Sequence, residues 1–413
     1  MSGAEAAALA ALDRDALVRD AAAAVRVPSR TGDERAVLEL LADIAARLGL
    51  EADLHRHDLE ALRRRPGHPG EEAPRSELWG LTATLPGGVA RRLCLNGHVD
   101  VVDAGSESWR HGPWSGVVEA GRLHGRGAVD MKAAVVAALH AAGALRAVAD
   151  AAPTVVVQAV ASEEDGGQGT FAALERDADF DAALIPEPTG LAVVCAHAGA
   201  LTFRGAIPGR AAHAALRLEG CSALDRYVRV HLALAEHERA VNADVAHPLM
   251  RAHALPYPLL VGKVRGGEWS SQVPDRVEFE GRLGVPVGSD VAAARAALEA
   301  VVAAALDDGE APAELHWDGG AFAPGETPID HPWTRLVQAA LSDELGREAP
   351  LTAVPYGADM RQFTTRGIPC VMAGTAGAER AHAVDERVDL GELIATARMM
   401  VRAALRLGAA EGW

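Results

Sequence analysis

The run Thr154-Val-Val-Val-Gln-Ala-Val-Ala-Ser-Glu-Glu-Asp-Gly-Gly167 passes abruptly from apolar residues to two adjacent carboxylates. Its β-branched residues predict a buried strand over residues 154–161, of the kind that parallel sheets cover on both faces. Glu163 and Glu164 cannot stay inside such a strand, because burying an unpaired charge costs several kcal/mol or forces protonation. They are expected where the strand emerges, either as a solvated turn or facing a cation. In the second case one Glu binds a metal ion while its neighbour handles a proton on bound water.

Outward from this run, helical periodicity covers residues 4–25 and 34–48, the latter after the start signal Thr31-Gly32-Asp33. Strand-like runs lie at 51–55, 78–85 and 92–96. The segment 58–75 holds Pro66, Pro69 and Pro74 among charges and reads as a surface excursion. A helix from 131 to about 148, a helix near 170–176 and a buried strand at 181–185 follow. Strands alternating with helices predict an α/β, mostly parallel sheet.

Between residues 198 and 311 the order changes to strand 200–207, helix 222–241, strand 257–265, strand 276–285, helix 290–306 and strand 313–317. That βαββαβ order is the ferredoxin-like unit. It predicts an inserted domain at 199–311 within a discontinuous catalytic domain, 1–198 and 312–413.

The 413 residues are 49% hydrophobic and 23% charged, an ordinary globular composition. A formal net charge of −17 argues against nucleic-acid or anionic-membrane partners, which need basic patches. Cys94, Cys195, Cys221 and Cys370 show no CxxC spacing, so neither a zinc ribbon nor a disulfide framework is indicated. The alanine-rich start lacks the pattern of a signal peptide, and no stretch reaches 18 uninterrupted apolar residues. The expected setting is cytoplasmic and reducing.

Acidic and histidine residues follow the strands closely. Strand 92–96 leads to His98 and Asp100, strand 154–161 to Glu163 and Glu164, strand 181–185 to Glu187, and segment 369–373 to His382. Asp130 precedes the helix that Met131 opens. Ligands of parallel α/β sheets bind outside the carboxyl ends of the strands. Two imidazoles and three carboxylates suit a pair of zinc-like ions with one carboxylate bridging. Asp100, two residues after His98, is placed to fix the imidazole tautomer. His140, His55 and His57 read as surface or packing histidines, and Gly125-Arg-Gly127 alone reads as a turn.

The chain resembles the M20 family of dinuclear zinc amidohydrolases and peptidases, and within it the acetylornithine deacetylase and succinyl-diaminopimelate desuccinylase branch. The resemblance rests on Asn96-Gly-His-Val-Asp-Val-Val102, Gly121-Arg-Leu-His-Gly-Arg-Gly-Ala-Val-Asp-Met-Lys132, Ser162-Glu-Glu-Asp-Gly-Gly-Gln-Gly169, Pro186-Glu-Pro188, Gly209-Arg-Ala-Ala-His-Ala214 and Ala381-His-Ala-Val-Asp-Glu386. It implies two Zn2+ or Co2+ ions per subunit. His98, Asp130 and Glu187 would surround one; Asp130, Glu164 and His382 would hold the other. Glu163 would be the general base, Asp100 would orient His98, and the inserted domain would serve as a dimerisation or lid domain. His213 on that domain would reach the partner subunit's active site in a homodimer and stabilise the oxyanion.

Departures from the family pattern concern substrate. An Arg expected ten residues after Pro274 is replaced by Gly284, and Ser271 stands where an Asn is usual. Arg282 is then a candidate carboxylate clamp or a surface residue, and Arg361 is a second candidate. The loop Gly374-Thr-Ala-Gly377 replaces a usual Gly-Pro-Gly, which makes Gly374 and Thr375 substrate-contact candidates. The implied activity is hydrolysis of an N-acyl amide on a small amino-acid-like substrate. A metallo-carboxypeptidase or dipeptidase is the alternative within the fold, and a non-catalytic binding protein the alternative outside it.

Overall fold

The computed structural model describes residues 3–410; the first two and last three residues of the expected catalytic domain lie outside the described residues. In chain order the strands are β1 (Glu51–Arg56), β2 (Trp79–Leu85), β3 (Val89–His98), β4 (Val117–Glu119), β5 (Arg122–His124), β6 (Pro153–Val160), β7 (Ala182–Ile185) and β8 (Val193–His197). There follow β9 (Gly199–Pro208), β10 (Leu259–Gly266), β11 (Arg276–Val285), β12 (Glu314–His316), β13 (Ala321–Phe322), β14 (Gly325–Glu326), β15 (Leu351–Val354), β16 (Cys370–Met372) and β17 (Arg387–Asp389). The chain divides into two compact units, one of Met1–Ala196, Glu326–Thr352 and Ala358–Trp413, the other of His197–Gly325 and Ala353–Gly357.

The first unit is built on a mixed sheet ordered β1-β2-β6-β3-β7-β16-β8-β14, with β15 paired to β8. Its centre is parallel, β3 pairing with both β6 and β7, and β7 with β16. The flanks are antiparallel at β1–β2, β2–β6 and β16–β8, so the expected parallel character belongs to the four central strands. Helix Lys132–Leu145 packs on β3 and β6 and against helices Arg14–Arg26 and Leu390–Ala409. All its residues but Gly143 are buried, which is why its alanines and valines show no polar face. The stretch Lys132–Ala151 is long and apolar enough to cross a membrane, but most of it is buried inside the fold. A small antiparallel sheet, β17-β5-β4, completes the unit.

Two expectations change here. The helix expected over 4–25 is two helices, Gly3–Ala11 and Arg14–Arg26, because Asp13 caps the second by accepting the Ala16 N–H at 2.9 Å. The segment 58–75 is no mere surface excursion. Its Leu59 and Leu62 are buried with Leu78 and Phe171. The fully buried Arg75 guanidinium lies 3.4 Å from Glu34 and 3.2 Å from Asp165, tying this segment to the turn that carries Glu163 and Glu164.

The second unit is the expected ferredoxin-like arrangement, an antiparallel sheet ordered β10-β11-β9-β12. Phe203, Phe279, Leu283, Val230, Leu234, Leu298 and Val302 form its core. It runs past residue 311 because β12 and β13 both pair with β9. Helix Ala223–Ala243 exposes Leu224, Val228 and Leu232, a stripe at four-residue spacing, and edge strand β10 exposes Leu260 and Val264.

Candidate active site

Strands β6, β3, β7 and β16 are neighbours and parallel, so their carboxyl ends share one edge of the sheet. His98 ends β3, Glu163 and Glu164 follow β6, Glu187 follows β7, and His382 lies in the loop after β16. The chain turns sharply at Ser162, whose φ of 69° puts a residue with a side chain in the left-handed region. Its hydroxyl donates to Asp165, which Arg75 also holds, so the strained turn is fixed from two sides.

Asp130 stands at the centre of the cluster. Its Oδ1 lies 3.0 Å from His98 Nε2 and its Oδ2 lies 3.6 Å from His382 Nε2. Glu187 Oε1 is 3.8 Å from His98 Nε2, and Glu164 Oε1 accepts from His382 Nε2 at 3.0 Å. Two groups of side chains therefore meet at Asp130: His98 with Glu187 on one side, Glu164 with His382 on the other. Ligand atoms of His98, Asp130 and Glu164 all lie within 4.8 Å of one another. The peptide between Asp130 and Met131 is cis.

Supporting residues fix this centre. Glu386 is fully buried and accepts from the backbone N–H of Val129 (2.9 Å) and Asp130 (3.2 Å), while Arg126 donates to its other oxygen at 2.7 Å. Asp100 differs from expectation. His98 Nδ1 meets the Asp100 carbonyl at 2.9 Å, with the carboxylate at 3.6 Å. The Asp100 carboxylate instead accepts the N–H groups of Glu163 (3.1 Å) and Glu164 (3.2 Å) and the Thr31 hydroxyl (3.2 Å). It holds the backbone of the glutamate pair, and its carbonyl sets the imidazole tautomer.

The cluster carries more acid than base. Asp130, Glu163, Glu164, Glu187 and Asp359 face His98 and His382, with Arg361 beside Asp359. Burial, with Asp359, Glu187 and Glu164 beside it, raises Glu163 well above the usual carboxylate range. Burial, reinforced by Asp130 and Glu164 against the pull of His98, pushes Glu187 up to about 8. Burial also raises Glu164, although His382 opposes it. Burial would lower His98, but the Asp100 and Asp130 carboxylates beside it prevail and raise it. Both oxygens of Asp359 are buried, with Arg361 Nη1 at 3.5 Å and Thr170 beside it, and burial raises its carboxyl above the usual range. Buried carboxylates without enough counter-charge, flanked by two imidazoles, are the donor set that hard-to-borderline divalent cations satisfy. A divalent pair would displace the imidazole protons and neutralise the excess.

Glu163 and Glu164 differ in their partners. Glu164 is bonded to His382, whereas no donor among the described residues engages the Glu163 carboxyl.

The substrate candidates fall out differently. Arg361, the second carboxylate-binding candidate, is buried and donates to the carbonyls of Ala358 (2.8 Å) and Gly166 (2.6 Å). Gly167, with φ of 81°, leaves room for Asp359, whose Oδ1 would be 2.2 Å from an added Cβ. Gly374 and Thr375 brace the Glu187 loop rather than standing open. Thr375 is buried, its carbonyl accepts the Gly190 N–H at 3.0 Å, and the Gly374 carbonyl accepts that of Leu191 at 3.1 Å.

In the second unit, His213 is exposed and its Nδ1 accepts the Ala215 N–H at 3.1 Å, which leaves Nε2 as the protonated nitrogen of the neutral ring. Arg282 is exposed, with its guanidinium 5.5 Å from the Phe322 ring centroid. A Cβ at Gly284 would lie 2.8 Å from the Pro258 carbonyl oxygen, so backbone occupies the space that an arginine there would need.

Sequence reading missed Glu386, Arg126, Asp359 and Arg75 as site-building residues. Glu386 and Arg126 were within the quoted motifs and Asp359 stands two residues before the candidate Arg361; Arg75 had no signal beyond charge, since only folding brings it to the centre.

A model for peptidase family M20/M25/M40 matches residues 94–406. Succinyl-diaminopimelate desuccinylase of Dinoroseobacter shibae is 30% identical over 321 residues, 74% of this chain and 81% of that protein. N-formyl-4-amino-5-aminomethyl-2-methylpyrimidine deformylase of Bacillus subtilis is 26% identical over 333 residues, 73% of this chain and 76% of that protein. The M20 family metallo-carboxypeptidase of Sulfolobus solfataricus shares the fold, with a TM-score of 0.75, 17% identity and coverage of 96% of this chain and 99% of that one.

Proposed function

The chain belongs to peptidase family M20/M25/M40 and is a metal-dependent hydrolase of amide bonds in small substrates, and on that premise we propose that it is a dinuclear deacylase of N-acylated, amino-acid-like compounds. The observation that carries the reading is the split between the two glutamates. Glu164 is engaged with His382 while the Glu163 carboxyl is left for a proton.

His98, Asp130 and Glu187 would hold one ion; Asp130, Glu164 and His382 the other, with Zn2+ or Co2+ suiting two imidazoles and three carboxylates. Such ions supply Lewis acidity and make water acidic enough to ionise near neutral pH. Glu163 takes the proton of the attacking water and delivers it to the departing amine. Asp100 keeps both glutamates in place through their backbone N–H groups, and Glu386 keeps Asp130 in place. Replacing His382 lowers metal occupancy by elemental analysis; unchanged occupancy would refute its role.

The oxyanion donor we assign is His213 of a second copy, an exposed residue whose Nδ1 is occupied by the Ala215 N–H and whose Nε2 is left to donate. Support for a homodimer comes from the exposed stripe Leu224, Val228 and Leu232 and from the open apolar edge of β10. Arg282 is the proposed contact for a substrate carboxylate. All four cysteines are free, which supports a reducing, cytoplasmic setting.

The test is a hydrolysis screen of the zinc- or cobalt-loaded protein on N-succinyl, N-formyl and N-acetyl amino acids alongside dipeptides, read as free amine. The acylated amino acids are expected to be cleaved in preference. Preferential cleavage of dipeptides would replace the deacylase reading with a peptidase.

A further inference from the structure

A second group of metal-type ligands lies on the small sheet, apart from every residue assigned above. Strand β5 pairs with β4 in the register Val117↔His124 and Glu119↔Arg122, and with β17 at Arg387↔His124. The β4–β5 register makes Glu119 and His124 diagonal neighbours on one face, within reach for long side chains. His111 arrives from the preceding loop, its ring centroid 4.8 Å from that of His124 and its Nε2 3.3 Å from Glu119 Oε2. One ligand atom from each of the three lies within 4.8 Å of the others. His111 Nε2 is itself buried and makes no hydrogen bond.

The plain alternative is a surface ion pair, Arg110 to Glu119 at 3.0 Å, with two histidines nearby. It explains Glu119, but it explains neither two imidazoles with ligand atoms within 4.8 Å of one carboxylate nor a buried ring nitrogen that makes no hydrogen bond. We infer that His111, Glu119 and His124 form a third cation site, taking one divalent ion of the zinc or copper class. Two imidazole nitrogens and one carboxylate oxygen are a donor set those ions favour over calcium or magnesium. Arg110 and Arg387 oppose a cation here, and the ion takes the place of Arg110 on Glu119. The Arg110 N–H donates to Asp385 at 2.7 Å, three residues from His382, so an ion at this site braces the loop that carries the last ligand of the main centre.

The test uses the full-length protein with its main centre saturated with Zn2+. After dialysis against buffered Zn2+, the unaltered protein is expected to retain one more zinc per chain than His111→Ala or Glu119→Gln; equal content in all three overturns the site. Added Cu2+ should give an electron paramagnetic resonance spectrum with coupling to two nitrogens, reduced to one in His111→Ala, and an identical spectrum in that variant overturns it as well. Glu119 is exposed, so its variant keeps the test open if His111→Ala folds poorly. His382→Ala separates the two centres: it should lower the zinc content and leave the two-nitrogen copper spectrum intact, whereas loss of that spectrum would place the copper at the main centre and overturn the inference.

Discussion

Asp130 has a partner at each carboxylate oxygen and at its backbone nitrogen, whereas the His213 side chain makes a single hydrogen bond, to Ala215, on an exposed loop. The same contrast holds across the two units. In the first, each glutamate of the pair has its N–H bound by Asp100, and Glu386 and Arg126 are buried around Asp130. In the second, His213 and Arg282 are exposed, and so is the apolar helix stripe Leu224, Val228 and Leu232. The groups proposed to hold metal are held redundantly, whereas those proposed to act from a second copy or on the substrate are held by few contacts.

The largest expected effect breaks the first half of this contrast. Glu163→Gln removes a proton acceptor and no ligand, so kcat should fall by about 10²–10⁴-fold with metal content near normal. A Gln variant with full kcat would end the division of labour between the glutamates. Next in size is His213→Ala, for which the loss of an oxyanion donor should lower kcat by about 10²–10³-fold. Val228→Arg should give a monomer by light scattering with a similar loss, and a fully active monomer would show that His213 does not act in trans. Glu386→Ala should weaken metal binding by roughly 10–100-fold in a chelator competition, because the group that sets Asp130 is gone. Arg282→Ala should raise KM for an acidic substrate by about tenfold with kcat unchanged, since a charge-assisted hydrogen bond contributes about 1.5–3 kcal/mol; an unchanged KM would return Arg282 to the surface.

A smaller effect concerns pH. Burial lowers Lys132 to about 7, against an ordinary value of 10.5, with Glu386 opposing. Between those values the unfolded chain binds the proton that the folded chain has released, so this residue makes stability rise with pH from about 7 upward and weakens the fold below it. Lys132→Met should flatten that slope in urea titrations at successive pH values.

Much of this was legible in the residue order. Period-two and apolar runs located β6 and β7, the βαββαβ order located the inserted unit, and carboxylates and histidines after strand ends located the main cluster. What was not legible depends on long-range packing. Three prolines between Asp58 and Arg75 marked a loop, yet nothing local revealed that Arg75 is buried between Glu34 and Asp165. Asp100 was read as a carboxylate partner of His98 because they are two residues apart. The backbone carbonyl makes that contact, since the strand end turns the carboxylate toward Glu163 and Glu164. Arg361 was read as a clamp from its pattern alone; its burial against Gly166 is a tertiary fact.

Gly284 bears on any attempt to change what this enzyme cuts. An arginine installed there to copy the family's carboxylate contact meets the carbonyl of Pro258, whose oxygen also accepts the Gly284 N–H at 2.7 Å. The substitution fails unless the chain around Tyr257 and Pro258 is rerouted with it. A change at position 284 is thus a two-segment change, because the backbone of Tyr257 and Pro258 closes the space beside it.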